Sequence, residues 1–238
     1  MSRHLRNSRA LTGFWNPVRT MLRTNNEQNL LPMQHIEPLV PGHFYHIYNH
    51  GVADLELFRE PENYQFFLDL YDKYIPPVAD TFAWVLMKNH FHLLVRIKNE
   101  AEIAINFPDG ISSPVRNAKS RNIPSLQFSK LFNSYAQSLN RRFGQSGPLF
   151  KRPFRRKLIE STAYLKQVLL YIHNNPVHHG FCSHPVEYPW SSYLACISIK
   201  PTNLKKDQVI GWFDNKTNFR NMHNHKIKVD QIEKWLKI

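Results

Sequence analysis

The sequence predicts an α+β fold, a ferredoxin-like antiparallel sheet with helices packed on one face. Three observations lead there: short segments alternate polar and apolar residues with period two, apolar residues recur at helical spacing between them, and the opening order is strand, helix, strand, strand. A chain of 238 residues that is 42% hydrophobic and 13% aromatic can bury a core of that size.

The first strand is read in HFYHIYN, residues 43–49, ended by the turn at His50-Gly51. Residues 62–75 place Tyr64, Phe67, Leu68, Tyr71 and Ile75 on one helical stripe, and Pro76-Pro77 stops the helix. TFAWVLM, residues 81–87, is the second strand; Lys88-Asn89 turns the chain into HFHLLVRI, the third. Residues 105–125, rich in proline and serine, form a loop. A helix follows from Ser125 to Arg142, then a turn at Gly144–Gly147 and a basic strand over 150–159. Ser161 or Thr162 caps the next helix, with Leu165, Val168, Leu169 and Ile172 as its buried stripe and Asn175-Pro176 as its end. These elements predict a domain over 39–197. Residues 1–38 form a poorly ordered basic extension, with Met33 a candidate alternative start, and residues 198–238 an accessory tail ending in the short, mostly polar helix DQIEKWLKI.

Lysine and arginine total 31 against 18 acidic residues, a net charge of +13 and a pI near 9.8. That balance points to a polyanion partner. No acidic residue lies between Asp109 and Glu160, whereas Arg116, Lys119, Arg121, Lys130, Arg141, Arg142, Lys151, Arg152, Arg155, Arg156 and Lys157 do. Aromatics interleave with them at Phe128, Phe132, Tyr135, Phe143, Phe150 and Phe154. This is the composition of a nucleic-acid track, phosphate contacts beside stacking faces. No apolar run is long enough to span a bilayer and no secretory signal opens the chain. The two cysteines, Cys182 and Cys196, have no zinc-finger spacing to a histidine, so a reducing cytoplasm with structural thiols is expected.

The third strand holds His90 and His92 two apart, on one face with Leu94, while Phe91, Leu93 and Val95 take the other. Two imidazoles at that spacing, roughly 6 to 7 Å apart at their bases, can share one metal ion, and they can equally be surface histidines on a half-exposed strand. On the helix at 162–175, Tyr171 and Asn175 stand one turn apart. They read either as a nucleophile and an oxygen ligand, or as a packed ring and a helix end.

The strings YHIYNHG (45–51), WVLMKNHFHLLV (84–95), SYAQSLNRRFGQSGPLFKRPFRRKLIE (134–160), YLKQVLLYIHNNPVHHG (164–180) and YPWSSY (188–193) resemble, in the same order, the single-tyrosine HUH transposases and above all the REP-associated tyrosine transposases. The resemblance spans residues 43–193. It implies that His90 and His92 bind a divalent metal, Mg2+ or Mn2+, with Asn175 as third ligand, and that Tyr171 attacks single-stranded DNA beside a hairpin to form a 5′-phosphotyrosine. Tyr164 is the rival nucleophile. Arg141, Arg142, Lys151, Arg152, Arg155, Arg156 and Lys157 are the expected DNA contacts. The family's Asn-Arg-Gly after the first strand is Asn49-His50-Gly51 here, which puts a DNA contact in question. Relatives work as monomers or as homodimers. A DNA-binding protein of the same fold without cleavage is the alternative.

Overall fold

A computed structural model describes residues 37–107, 123–225, 227 and 229–236. Residues 1–36 of the basic extension, Met33 among them, and Arg116, Lys119 and Arg121 lie outside them. The elements are β1 (Phe44–His50), α1 (Pro61–Tyr74), β2 (Ala79–Met87), β3 (His90–Ile97), α2 (Glu100–Asn106), α3 (Ile123–Arg142), β4 (Arg155–Ile159), α4 (Thr162–His178), α5 (Tyr193–Ile197), α6 (Lys206–Trp212), α7 (Lys216–His223) and α8 (Val229–Leu236). The four strands make one antiparallel sheet in the order β2-β3-β1-β4.

Register decides what each face carries. Tyr45, Ile47 and Asn49 pair with Val95, Leu93 and Phe91, so these six share a face; Tyr48 and His50 pair with His92 and His90 on the other. Against the first face pack α1 and α3, through Phe67, Tyr71, Phe128, Leu131, Phe132, Tyr135 and Leu139. Against the histidine face packs α4, through Leu165, Val168, Leu169 and Ile172. The expectation of helices on one face is therefore corrected: both faces are covered. The strand itself demands this, because TFAWVLM has no polar alternation after Thr81 and a continuous apolar strand must be buried on both sides.

Residues 198–238, read as a tail, supply Leu204, Val209, Phe213, Phe219, Ile232 and Leu236 to that second core. The free edge of β2 is closed by residues 190–205: Leu86 N–H donates to the Trp190 carbonyl, Ser192 N–H to Trp84, and Lys205 N–H to Thr81.

Three boundaries differ from expectation. α2 occupies 100–106, where Asn99 and Glu102 form a reciprocal capping box. The basic strand shortens to 155–159, since Pro153 cannot donate to a ladder. α4 continues through Pro176 to His178: proline near the last turn forfeits one hydrogen bond, and His179 N–H still reaches the Asn175 carbonyl at 3.0 Å. Ser161 caps α4 by accepting from Tyr164 N–H at 3.3 Å. Among the described residues no helix is long and apolar enough to cross a membrane.

Candidate functional site

The β2–β3 hairpin ends at Asn89, which places His90 and His92 at the start of β3 with their rings toward α4. One turn of α4 separates Tyr171 from Asn175, and both are buried against that same face. The fold thus brings His90, His92, Tyr171 and Asn175 together. His90, His92 and Tyr171 line a cleft of about 460 Å³ with His50, Asp54, Asn89, His179, Phe181 and Glu233. Asn175 is fully buried beside the cleft, its Oδ1 3.0 Å from His90 Nε2. The Tyr171 ring sits edge-on to His92, 5.3 Å between centroids. Tyr164 lies elsewhere on α4, half exposed and stacked on Trp235.

Each histidine has a partner behind it. Asn89 Oδ1 accepts from His90 Nδ1–H at 2.7 Å, and His46 Nε2 shares a hydrogen with His92 Nδ1 at 2.9 Å. Such backing contacts hold a ring's tautomer and aim its other nitrogen. Burial disfavours the charged imidazole, pushing His90 down to about 4, His46 to about 3 and His92 well below its ordinary value. At neutral pH these rings are uncharged, the state a metal ligand requires.

Two imidazoles and an amide oxygen are donors a divalent cation can use, and one contact in the site leaves room for it. With Nδ1 donating to Asn89, His90 Nε2 keeps its lone pair, and it faces an amide oxygen that is also an acceptor. Two acceptors 3.0 Å apart repel unless a cation lies between them or the amide turns its nitrogen inward. Asn175 Nδ2 is buried without a partner, so a turned amide donating to His90 Nε2 and a bound cation each resolve the contact. Among the described residues no three His, Cys, Asp or Glu side chains converge as a metal group, so the set consists of two imidazoles and an amide.

Tyr171 is 2% exposed, and its hydroxyl donates to Glu233 Oε1 at 3.5 Å. Burial, and then the Glu233 charge, hold the phenol above its ordinary value. His50 stacks on His90 at 4.8 Å between centroids. The glycine after it is obligatory, since a Cβ at Gly51 would lie 2.1 Å from the Leu55 carbonyl oxygen.

The basic residues divide among three places. Arg155 and Lys157 pair with Tyr48 and His46 and so lie on the histidine face. Lys151, Arg152 and Arg156 line a second cleft of about 460 Å³ beside α3, with Asn133, Phe132 and Phe154. Arg156 stacks over the Phe154 ring, 4.0 Å from its centroid, and donates to Ser125 Oγ. Arg141 and Arg142 are exposed at the end of α3, where cations suit the helix dipole, and Arg142 pairs with Glu60.

Sequence reasoning missed His46, Asn89, His179 and Glu233 as cleft or backing residues. His46 was legible, since it shares the period-two face of His50; Glu233 had no local signal at all.

No family model matches the chain, and no curated protein matches it. Among solved structures the fold is similar to that of a REP-associated tyrosine transposase bound to a REP hairpin, with a TM-score of 0.53 over 71% of this chain and 88% of that one. At 14% identity the likeness is one of fold.

Proposed function

We propose that the protein is a metal-dependent single-tyrosine transposase of HUH type, which cleaves single-stranded DNA beside a hairpin and rejoins it through a 5′-phosphotyrosine. The observation that carries the reading is the convergence of Tyr171, His90 and His92 in one cleft of one chain, with Asn175 buried behind His90. The strand–helix–strand–strand–helix–strand core with order β2-β3-β1-β4 supports reading the sheet as ferredoxin-like. The hairpin-bound transposase of similar fold supports the substrate class.

In this reading Tyr171 Oη is the nucleophile. His90, His92 and Asn175 would hold a divalent cation, Mg2+ or Mn2+, which when bound supplies positive charge to an oxygen of the scissile phosphate. Arg155 and Lys157, on the same sheet face, neutralise flanking phosphates, and Lys151, Arg152 and Arg156 grip DNA at the second cleft. Because the phosphodiester energy stays in the tyrosyl linkage, a 3′-hydroxyl can reverse the step without a nucleotide cofactor.

The burial of Tyr171 favours a second reading, a DNA-binding protein that no longer cleaves. A covalent-adduct assay separates the two. The protein is incubated with labelled single-stranded hairpin DNA from the flanks of its own gene, with Mn2+ or Mg2+, and denatured. A metal-dependent adduct lost in Tyr171→Phe and in His90→Ala establishes the first reading; binding with no adduct under either metal leaves the second.

A further inference from the structure

We infer that Glu233 is the proton acceptor of Tyr171, a general base carried into the cleft by the C-terminal helix α8. The inference rests on Tyr171 being the nucleophile, as proposed above, and gives α8 the role that its sequence does not disclose.

A phenol must lose its proton as it attacks phosphorus, and the groups around Tyr171 Oη offer few places for it. Asn175 is an amide and cannot take a proton. His90 has both nitrogens turned to Asn89 and Asn175, and His92 turns its Nδ1 to His46 and keeps its Nε2 for the cation of the reading above. Asp54 lines the cleft but is 76% exposed and leans toward Lys151, 3.7 Å away. His50 and His179 also line the cleft, but the hydroxyl's hydrogen bond goes to Glu233, whose Oε1 accepts from it at 3.5 Å and lies 3.9 Å from His178 Nε2.

The helix that carries Glu233 is anchored to three other elements. Ile232 and Leu236 are buried in the second core. Trp235 stacks on Tyr164 of α4, 4.4 Å between centroids and 14° from parallel, and Lys157 of β4 lies over the same indole. Tyr48 of β1 donates its hydroxyl to the Leu236 carbonyl at 3.3 Å. These contacts span α4, β1 and β4, so the carboxylate is held rather than waving from a free end.

Glu233 Oε1 already accepts the hydroxyl's hydrogen bond before substrate arrives. Proton loss is then concerted with attack. The Tyr171 Oη–phosphorus bond forms, the phenolic proton passes to Glu233, and the phosphorus–O3′ bond breaks with its electron pair on the 3′-oxygen, which takes a proton from water.

The test uses the full chain, hairpin DNA from its gene flanks and Mn2+, with single-turnover adduct formation and DNA affinity measured separately. General-base catalysis is typically worth 10² to 10⁴ in rate. Glu233→Gln should slow adduct formation by about 10²-fold or more with affinity unchanged or tighter, and Glu233→Asp should recover part of the rate. A ring-fluorinated tyrosine at position 171, whose phenol is more acidic, should shrink the Glu233→Gln defect at least tenfold; a merely structural glutamate gives a defect that fluorination leaves alone. A Glu233→Gln protein that forms adduct as fast as wild type, or faster, overturns the inference while leaving the nucleophile in place. A wild type that forms no adduct overturns the nucleophile reading and this inference with it.

Discussion

At the scale of single residues, the least expected feature is a directed chain of buried hydrogen bonds tying α4 to α7. His223 Nδ1–H donates to the Phe219 carbonyl at 2.7 Å, so its Nε2 accepts from His173 Nδ1–H at 2.9 Å. His173 Nε2 then accepts from the Ser192 hydroxyl at 2.8 Å, and Ser192 Oγ accepts from Trp84 N–H at 2.8 Å. Every ring nitrogen is satisfied only while both histidines are neutral. Burial pushes His223 from its ordinary 6.5 down to about 4. Protons therefore bind the unfolded chain first: this contribution to stability is intact above pH 6.5 and is lost as pH falls toward 4, about 3 kcal/mol in all. Denaturant titrations between pH 7.5 and 4.5 should show the loss. His223→Gln keeps an acceptor for His173 and removes the titration, so its pH slope should fall by about one proton; an unchanged slope refutes the assignment. The residue pattern was only half legible beforehand. His90, His92 and Tyr171 stood out by spacing, whereas the partners that aim them, His46, Asn89 and Glu233, come from other elements or from a neighbour whose role depends on rotamer.

At the scale of elements, strands and long helices were legible because each carries its own period. What the periods left open was the second layer. α1 and α3 bury one stripe each, but from Leu170 to Pro176 α4 is buried all round, because the helices after residue 198 cover its outer side. A helix buried all round loses its amphipathic signature, and its covering helices are short and individually polar. The two layers make separable predictions. Phe67 of α1 is fully buried on the face away from the histidines, packed against Phe58, Phe91 and Tyr135. Phe67→Ala should cost about 3–5 kcal/mol in denaturant unfolding. It should leave adduct formation per folded molecule near wild type, because nothing on the histidine face touches that ring. A folded variant with the site disabled would mean that the two faces are coupled through the sheet.

At the scale of the whole molecule, the residues assigned to chemistry come from three distant parts of one chain: the hairpin at 90–92, α4 at 171–175 and α8 at 233. Sequence could not say whether Tyr171 meets its own histidines or those of a second copy, because helical and strand periods carry no information about which chain an element docks on. Here Tyr171 reaches His92 and Asn175 reaches His90 within one chain. The connection from β4 to α4 is only Glu160 and Ser161, and α8 then pins α4 from outside through Trp235 and Tyr164. Swapping α4 to a partner would require that clasp to open as well. A mixing experiment follows. His90→Ala and Tyr171→Phe each lack half of the site; if the site is built in trans, a mixed dimer regenerates one intact site and adduct returns, whereas a site built in cis stays dead at every mixing ratio. The expected outcome is no recovery, with adduct from wild type alone scaling linearly with protein concentration. Recovery toward one quarter of wild-type activity in an equimolar mixture would show that α4 is exchanged in solution, and that the clasp formed by α8 yields when two chains meet.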